Sequence, residues 1–345
     1  MRIGVLTGGG DCPGLNAAIR GVTTRALQSN DEVIGILNGW AGVLERSYRQ
    51  LTLADVAEIL PVGGTILGSS RTNPAKINRG MEQAMEGIAA MQLEALIAIG
   101  GDDTLGVAEK LYQAGIPIVG IPKTMDNDLN GCDYCIGFDT AVSVVTEAMD
   151  RLRTTAASHH RVIVVEVMGR DAGWVATVGG LAGGADYILI PEVPVSVNEV
   201  CAALQRQRAA GKGYHLVVVA EGAQIPGVAT AEEEAMRYRD AFGHIQLGKR
   251  GIGERLAATI AQQTGFETRS IVLGHLQRGG SPSNFDRRLG SALGVAAVDL
   301  VHRREFGKMP AFRNNRIITM PIAEAVARTQ TVDFELYRLA QVFFG

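Results

Sequence analysis

The chain has 345 residues, 46% of them hydrophobic and 20% charged, enough apolar matter to build one large or two ordinary domains. A formal net charge of −3 offers no bulk attraction for nucleic acid or an anionic membrane surface, and no run stays apolar long enough to span a bilayer. The 43 glycines follow no collagen period and four cysteines are too few for a disulfide framework, so a soluble cytoplasmic protein rich in tight turns is expected.

In chain order, the first expected strand is Ile3–Leu6. It runs into Thr7-Gly8-Gly9-Gly10-Asp11-Cys12-Pro13-Gly14 and then a helix over Leu15–Gln28. Glycines there let backbone N–H groups approach a phosphate, and the helix N-terminus adds a favourable dipole. Pro13 stands where a dinucleotide GxGxxG needs glycine, and the second strand, Val33–Leu37, ends in Leu37-Asn38 without an acid for a ribose. A Walker A loop is missing too. A second loop, Gly63-Gly64-Thr65-Ile66-Leu67-Gly68-Ser69-Ser70-Arg71, adds hydroxyls and an arginine able to grip phosphate bidentately.

After a helical stretch over Ile77–Met91, strand Ala95–Ile99 ends in Gly100-Gly101-Asp102-Asp103-Thr104 and a helix over Leu105–Ala114 follows. Thr104 or Asp103 suits a helix N-cap. Two carboxylates on a glycine turn at a strand's C-terminal end also suit Mg²⁺ carrying phosphate oxygens. Strand Ile116–Ile121 then meets Pro122-Lys123-Thr124-Met125-Asp126-Asn127-Asp128. If extended, this segment puts Thr124, Asp126 and Asp128 on one side. Asp126 suits a general base, because passing phosphate to an alcohol requires loss of the hydroxyl proton, and a lysine beside it can neutralise the moving group.

Cys132-Asp-Tyr-Cys135 has CxxC spacing, yet no second pair sits at metal spacing, so it reads as packing. Strands Arg161–Val167, Tyr187–Ile190, Leu216–Ala220 and Ser270–Leu273 alternate with helices Ala141–Thr154, Val197–Ala210 and Phe285–Arg303. The charge-rich Ala229–Arg250 reads as a solvated helix or surface insertion. The strands are short and apolar on both faces, which predicts an α/β protein with mainly parallel sheets. A domain boundary is expected near Gly137–Asp139.

Gly-Gly-Asp-Asp-Thr followed by Pro-Lys-Thr-Met-Asp-Asn-Asp resembles the 6-phosphofructokinase family, in its pyrophosphate-dependent or mixed-donor branch. Asp150-Arg151-Leu152, His160-Arg161, Val165-Glu166-Val167-Met168-Gly169-Arg170, Ala220-Glu221-Gly222 and Val272-Leu273-Gly274-His275-Leu276-Gln277-Arg278-Gly279-Gly280 extend the likeness in the same order. NAD kinases and diacylglycerol kinases share a Gly-Gly-Asp-x-Thr loop but lack these further segments.

The resemblance implies two Rossmann-like three-layer α/β domains with mainly parallel sheets and the active site in the cleft between them. Residues 1–138 plus about 277–327 would form the phosphoryl-donor domain, and residues 139–276 plus about 328–345 the sugar-phosphate domain. It implies Asp126 as the base acting on the 1-hydroxyl of fructose 6-phosphate, with Thr124 beside it, and Asp102 as the Mg²⁺ carboxylate. Gly9, Gly10 and Arg71 would contact the donor phosphates, together with Asp103 and Lys123. Arg170 would neutralise the transferring phosphoryl group, Met168 and Gly169 would position the sugar, and Glu221 would accept its hydroxyls. Arg269, His275 and Arg278 would hold the 6-phosphate. Arg161 would reach in from the neighbouring subunit of a homodimer or homotetramer.

Two positions speak to the donor. ATP-using members of the family usually carry glycine at the position of Asp103, where the nucleotide's α-phosphate approaches, and many carry glycine at that of Lys123. In a partly desolvated site the like-charge clash would reach several kcal/mol, against ~1 kcal/mol in bulk water. Pyrophosphate has no third phosphate, so it is the expected donor, with the ATP-dependent reaction as the alternative. Arg20 fits the family's nucleotide effector pattern, but Thr24 stands where a second arginine belongs, so weak control by that route is expected.

Overall fold

A computed structural model describes residues 1–226, 228 and 251–345; the expected solvated insertion over 229–250 lies outside the described residues. Two compact units form, Met1–Thr140 with Arg278–Gln330, and Ala141–Gln277 with Thr331–Gly345. The described strands are β1 (Arg2–Thr7), β2 (Glu32–Ile36), β3 (Tyr48–Leu51), β4 (Ala95–Gly100), β5 (Ile118–Pro122), β6 (Val162–Val167), β7 (Tyr187–Leu189), β8 (His215–Ala220), β9 (Thr268–Val272), β10 (Lys308–Arg313) and β11 (Arg316–Pro321).

The first unit holds a seven-stranded sheet in the order β11-β10-β5-β4-β1-β2-β3. Its five inner strands are parallel, and β3 and β11 close the two edges antiparallel. Every residue of β4 is buried, as expected of a strand covered on both faces. From β1 the chain passes to β2 on one side and later to β4 on the other. The sheet therefore has its switch point between β1 and β4, the place at which ligands bind in open parallel sheets. Leu6, Trp40, Leu96, Leu105 and Met309 are among the side chains that fill the core.

The second unit holds a four-stranded, wholly parallel sheet in the order β7-β8-β6-β9. β6 and β8 are buried throughout, while β9 exposes Arg269, Ile271 and Val272 at the sheet's edge. Val164, Leu189, Leu204, Val217 and Leu256 belong to its core.

All eight expected strands are present, with ends shifted by one or two residues. β3, β10 and β11 were not foreseen. Pro310 and Pro321 and the charged ends of both segments make β10 and β11 read as loop, and a hairpin at the sheet's edge tolerates them.

The helix Phe138–His159 starts three residues earlier than expected and carries the chain from the first unit into the second. Its start is secured within the first unit by Asp286, which is wholly buried. That carboxylate accepts from Gly137 N at 2.9 Å, Thr140 N at 2.9 Å and Thr140 Oγ1 at 2.5 Å. The favour is returned to the helix Asn284–His302: its N-cap Ser283 donates through N to Thr140 Oγ1 (3.0 Å) and through Oγ to Asp139 (2.6 Å). Burial pushes the Asp286 carboxyl up to about 6, against these donors, which pull it down.

Asp286→Ala strands three donors at once and should lower stability by about 3 kcal/mol or more. Thr140→Val, which leaves two of them satisfied, should cost about 1 kcal/mol. Urea unfolding of the two variants checks the ranking, and equal midpoints would contradict it.

Candidate active site

Three loops of the first unit leave the C-terminal ends of neighbouring strands β1, β4 and β5, so the parallel sheet itself brings them together. Lys123, at the end of β5, is the tie. Its side chain is buried, and Nζ donates to Gly8 O at 3.0 Å and Gly10 O at 2.6 Å, across β4. Burial pulls the Lys123 ammonium below its usual range. The second glycine loop is joined to the first: Gly9 N donates to Ser70 O at 3.0 Å, and Ser69 Oγ to Gly9 O at 2.5 Å. Gly9 therefore spends its N–H on the protein, and its φ of +78° is what lets the loop turn there. A side chain at Gly10 would come within 2.6 Å of the Arg278 guanidinium, whose Nη1 also donates to Asp11 O at 3.0 Å. Arg278 thus sits against the glycine loop of the first unit. Arg71 lies exposed at the end of the second loop.

The helix after β4 begins at Asp102, so Thr104 and Asp103 are not its N-cap as anticipated; Gly101 holds that place without a side-chain bond. Asp102 and Asp103 stand in the first turn, where the helix dipole favours negative charge. Asp103 Oδ1 accepts from Asn73 Nδ2 at 3.1 Å and lies 3.6 Å from Lys76 Nζ. Its side chain keeps 46% of its exposure, so a like charge brought to it meets a wetter site than the sequence suggests.

The segment after β5 is not a plain extended strand. Met125-Asp126 form a turn closed by Asn127 N to Thr124 O, and Asn127 takes a left-handed φ of +55°. Burial still alternates, with Thr124, Asp126 and Asp128 on the more open side. Thr124 Oγ1 donates to Asp128 at 3.0 Å and accepts from Asp126 N at 3.2 Å, so the hydroxyl orients both acids. Buried Asn127 pins the turn from behind, donating to Asp133 O (3.0 Å) and accepting from Cys135 N (2.8 Å). The CxxC segment is thus packing for this turn, and all four cysteines are free and buried. Burial, then the charges of Asp126 and Asp102, push the Asp128 carboxyl up to about 7.

In the second unit the loops after β8, β6 and β9 also lie side by side. Glu221 N donates to Val167 O at 2.8 Å and Gly222 N to Gly169 O at 3.1 Å, which joins Glu221 to the Met168–Arg170 loop. Gln277, wholly buried, accepts from Met168 N at 3.3 Å and donates to Gly274 O at 3.1 Å. It positions the Met168 loop against the turn carrying His275, which is exposed rather than a core histidine. Arg170 is exposed as well.

Arg161 and Arg269 do not join this group. Arg161 precedes β6, and Arg269 pairs in register with Ile163 near the start of that strand. Both guanidinium groups share Glu267 Oε1, at 2.8 and 2.9 Å. Along β6 Arg161 and the level of Arg269 lie roughly 23 and 16 Å from Met168, at ~3.3 Å per residue.

Asp128, Asn127, Gln277 and Asn16 are organising residues that had no assigned role. Asn16 binds the carbonyls of Val62 and Gly63 and the N–H of Ile66, fixing the second loop. Their sequence signal was a polar residue where a buried one is needed, which only burial reveals.

In the ligand-free chain Asp128 should titrate near pH 7, and Asp102→Asn should lower that value by removing one of two neighbouring like charges. Carboxyl ¹³C NMR reads both. An Asp128 titrating near ~4, the ordinary range, would show that the three carboxylates do not share a field.

Comparison with known proteins accords with this architecture. A family model described as Phosphofructokinase matches residues 2–301. The chain is 52% identical to a pyrophosphate–fructose 6-phosphate 1-phosphotransferase of Dictyoglomus thermophilum, over 100% of this chain and 99% of that one. It is 47% identical to the ATP-dependent 6-phosphofructokinase 3 of Streptomyces coelicolor, over 99% of each. Among solved structures, Pichia pastoris phosphofructokinase in the T-state superposes with a TM-score of 0.83 at 30% identity, over 99% of this chain and 36% of that longer one. Ordered segments, loops gathered at the sheet ends and likeness along the whole length converge: the chain belongs to the phosphofructokinase family.

Proposed function

We propose that this protein transfers a phosphoryl group from pyrophosphate to the 1-hydroxyl of fructose 6-phosphate, giving fructose 1,6-bisphosphate and phosphate, reversibly and in the cytoplasm. The observation that carries the choice of donor is the pair Asp103 and Lys123, one on the first turn after β4 and the other buried under the glycine loop. Pyrophosphate-dependent enzymes stand at 52–54% identity and ATP-dependent ones at 45–48%.

The first unit serves the donor, and the second, together with Arg278 of the first, serves the sugar phosphate. Asp126, whose backbone N–H is oriented by Thr124 Oγ1, takes the proton of the 1-hydroxyl as that oxygen attacks phosphorus. The P–O–P bond opens and phosphate leaves. Lys123 keeps the Gly8–Gly10 backbone in place beneath the donor, and with Arg71 supplies positive charge to its phosphates. Arg170 offsets charge on the moving group, Met168, Gly169 and Glu221 place the sugar, and His275 and Arg278 serve its 6-phosphate. The reverse reaction uses the same groups, with protonated Asp126 returning its proton to the sugar oxygen as phosphate attacks.

Among the described residues no three acids, histidines or cysteines form a self-sufficient metal cage. That suits Mg²⁺, which takes one or two carboxylates and completes its shell with water and phosphate oxygens. The negative field around Asp102, Asp126 and Asp128 fits a cation, with Asp102 as its holder. When bound, the ion neutralises charge on the donor oxygens.

The opposite-edge position of Arg161 and Arg269 supports a homo-oligomer, dimer or tetramer, in which both arginines complete a neighbouring copy's 6-phosphate site. They stand too far along β6 to serve the Met168 loop of their own chain.

Asp126→Asn should lower kcat by about 10²–10⁴-fold with circular dichroism unchanged, and near-normal turnover would remove Asp126 from the role of base. The donor is settled by assaying the purified protein with Mg²⁺ and fructose 6-phosphate against pyrophosphate and ATP in parallel. Turnover with pyrophosphate is expected, and turnover with ATP alone would overturn the assignment.

A further inference from the structure

The Asp103 carboxylate is held by a structural element of its own. The turn Pro74–Lys76 follows directly on the second glycine loop, and Asn73 caps it, accepting from Ala75 N at 3.0 Å. That bond commits Asn73 Oδ1 to the backbone and so aims Nδ2 at Asp103, 3.1 Å away. Asn73 keeps only 9% exposure, so its amide has little room to turn elsewhere. Three residues on, Lys76 Nζ approaches the same oxygen, Asp103 Oδ1, to 3.6 Å. One short turn thus presents a fixed neutral donor and a mobile cation to a single carboxylate oxygen.

The two contacts differ in kind. The Asn73 bond comes from a buried, pre-oriented amide and restrains where the carboxylate points. The Lys76 contact is a loose ion pair, with 43% and 46% of the two side chains exposed, of the sort that contributes little to stability. Lys76 therefore gives up little when it leaves Asp103 for a stronger anion, and a polyphosphate is one.

We infer that Asn73 and Lys76 are donor-specificity residues: Asn73 keeps the Asp103 carboxylate where it obstructs a third phosphate, and Asp103 keeps the Lys76 ammonium from serving one. Removal of the carboxylate then does two things at once. It opens space on the first helical turn and releases a cation within reach of that space, so acceptance of a nucleoside triphosphate depends on Lys76 only when Asp103 is absent. The inference rests on the pyrophosphate reading above.

The test is a double-mutant cycle on the full chain, measuring kcat/KM for pyrophosphate and for ATP with Mg²⁺ and saturating fructose 6-phosphate. Asp103→Gly, Lys76→Met, the double variant and Asn73→Ala are compared with the unaltered chain. Lys76 is exposed, and a single glycine in the first turn costs the helix little, so these variants fold. Asp103→Gly should raise the ATP-to-pyrophosphate ratio at least about tenfold, and adding Lys76→Met should remove about tenfold of the ATP value gained. Asn73→Ala, with Asp103 in place, should raise the ratio by about threefold or more as the carboxylate loosens.

If Lys76→Met scales ATP use by the same factor with and without Asp103, there is no coupling and the inference falls. If Asp103→Gly leaves the ratio unchanged while the unaltered chain still turns over pyrophosphate, Asp103 is not the filter and the inference falls with the donor reading intact. If the unaltered chain uses ATP alone, the donor reading itself is overturned.

Discussion

A buried ammonium organises the strand-end loops of the first unit. Lys123 lies at the end of β5, and burying its charge in an apolar setting would be prohibitive without acceptors. The carbonyls of Gly8 and Gly10 supply them, at 3.0 and 2.6 Å. Those carbonyls can reach Lys123 only if the first loop folds back over the end of β4, and that path requires backbone without side chains. The glycine loop, the lysine and the strand order are thus one constraint. The second loop follows, because Gly9 answers it by bonding the backbone of Ser70.

The same economy governs the acids. Asp126 and Asp128 are set by one hydroxyl, Thr124 Oγ1, while Asn127 between them faces inward and fixes the left-handed turn. Asp102 and Asp103 are neighbours with different partners. The field of Asp102 reaches Asp128, whereas Asp103 is held by Asn73 and Lys76. A helix's first turn presents consecutive side chains about 100° apart, so two adjacent carboxylates serve separate tasks.

In the second unit, position along the strands sorts the candidate residues. The C-terminal edge of β8, β6 and β9 carries Glu221, the Met168–Arg170 loop and His275, bound together by backbone bonds and Gln277. Arg161 and Arg269 lie at the other edge on Glu267. Arg269 and His275 are six positions apart in sequence, which suggests neighbours. An extended strand turns that spacing into distance, whereas a helix would have kept them close.

The sequence by itself determined the fold class, the eight apolar strands, the long helices and the family, because short apolar runs and fixed motif spacings are local properties of the chain. It also held the acid-rich turn over Asp126–Asp128, which residue type alone makes visible. Tertiary structure decided what depends on neighbours from distant parts of the chain. The proline-containing hairpin β10–β11 is ordered by the sheet it pairs with, through β10 against β5. The reach of Lys123 to Gly8, the burial of Asp286 under Thr140 and the grip of Asn73 on Asp103 span 115, 146 and 30 residues respectively. No local pattern encodes such pairings, since each joins residues that only the folded chain brings together.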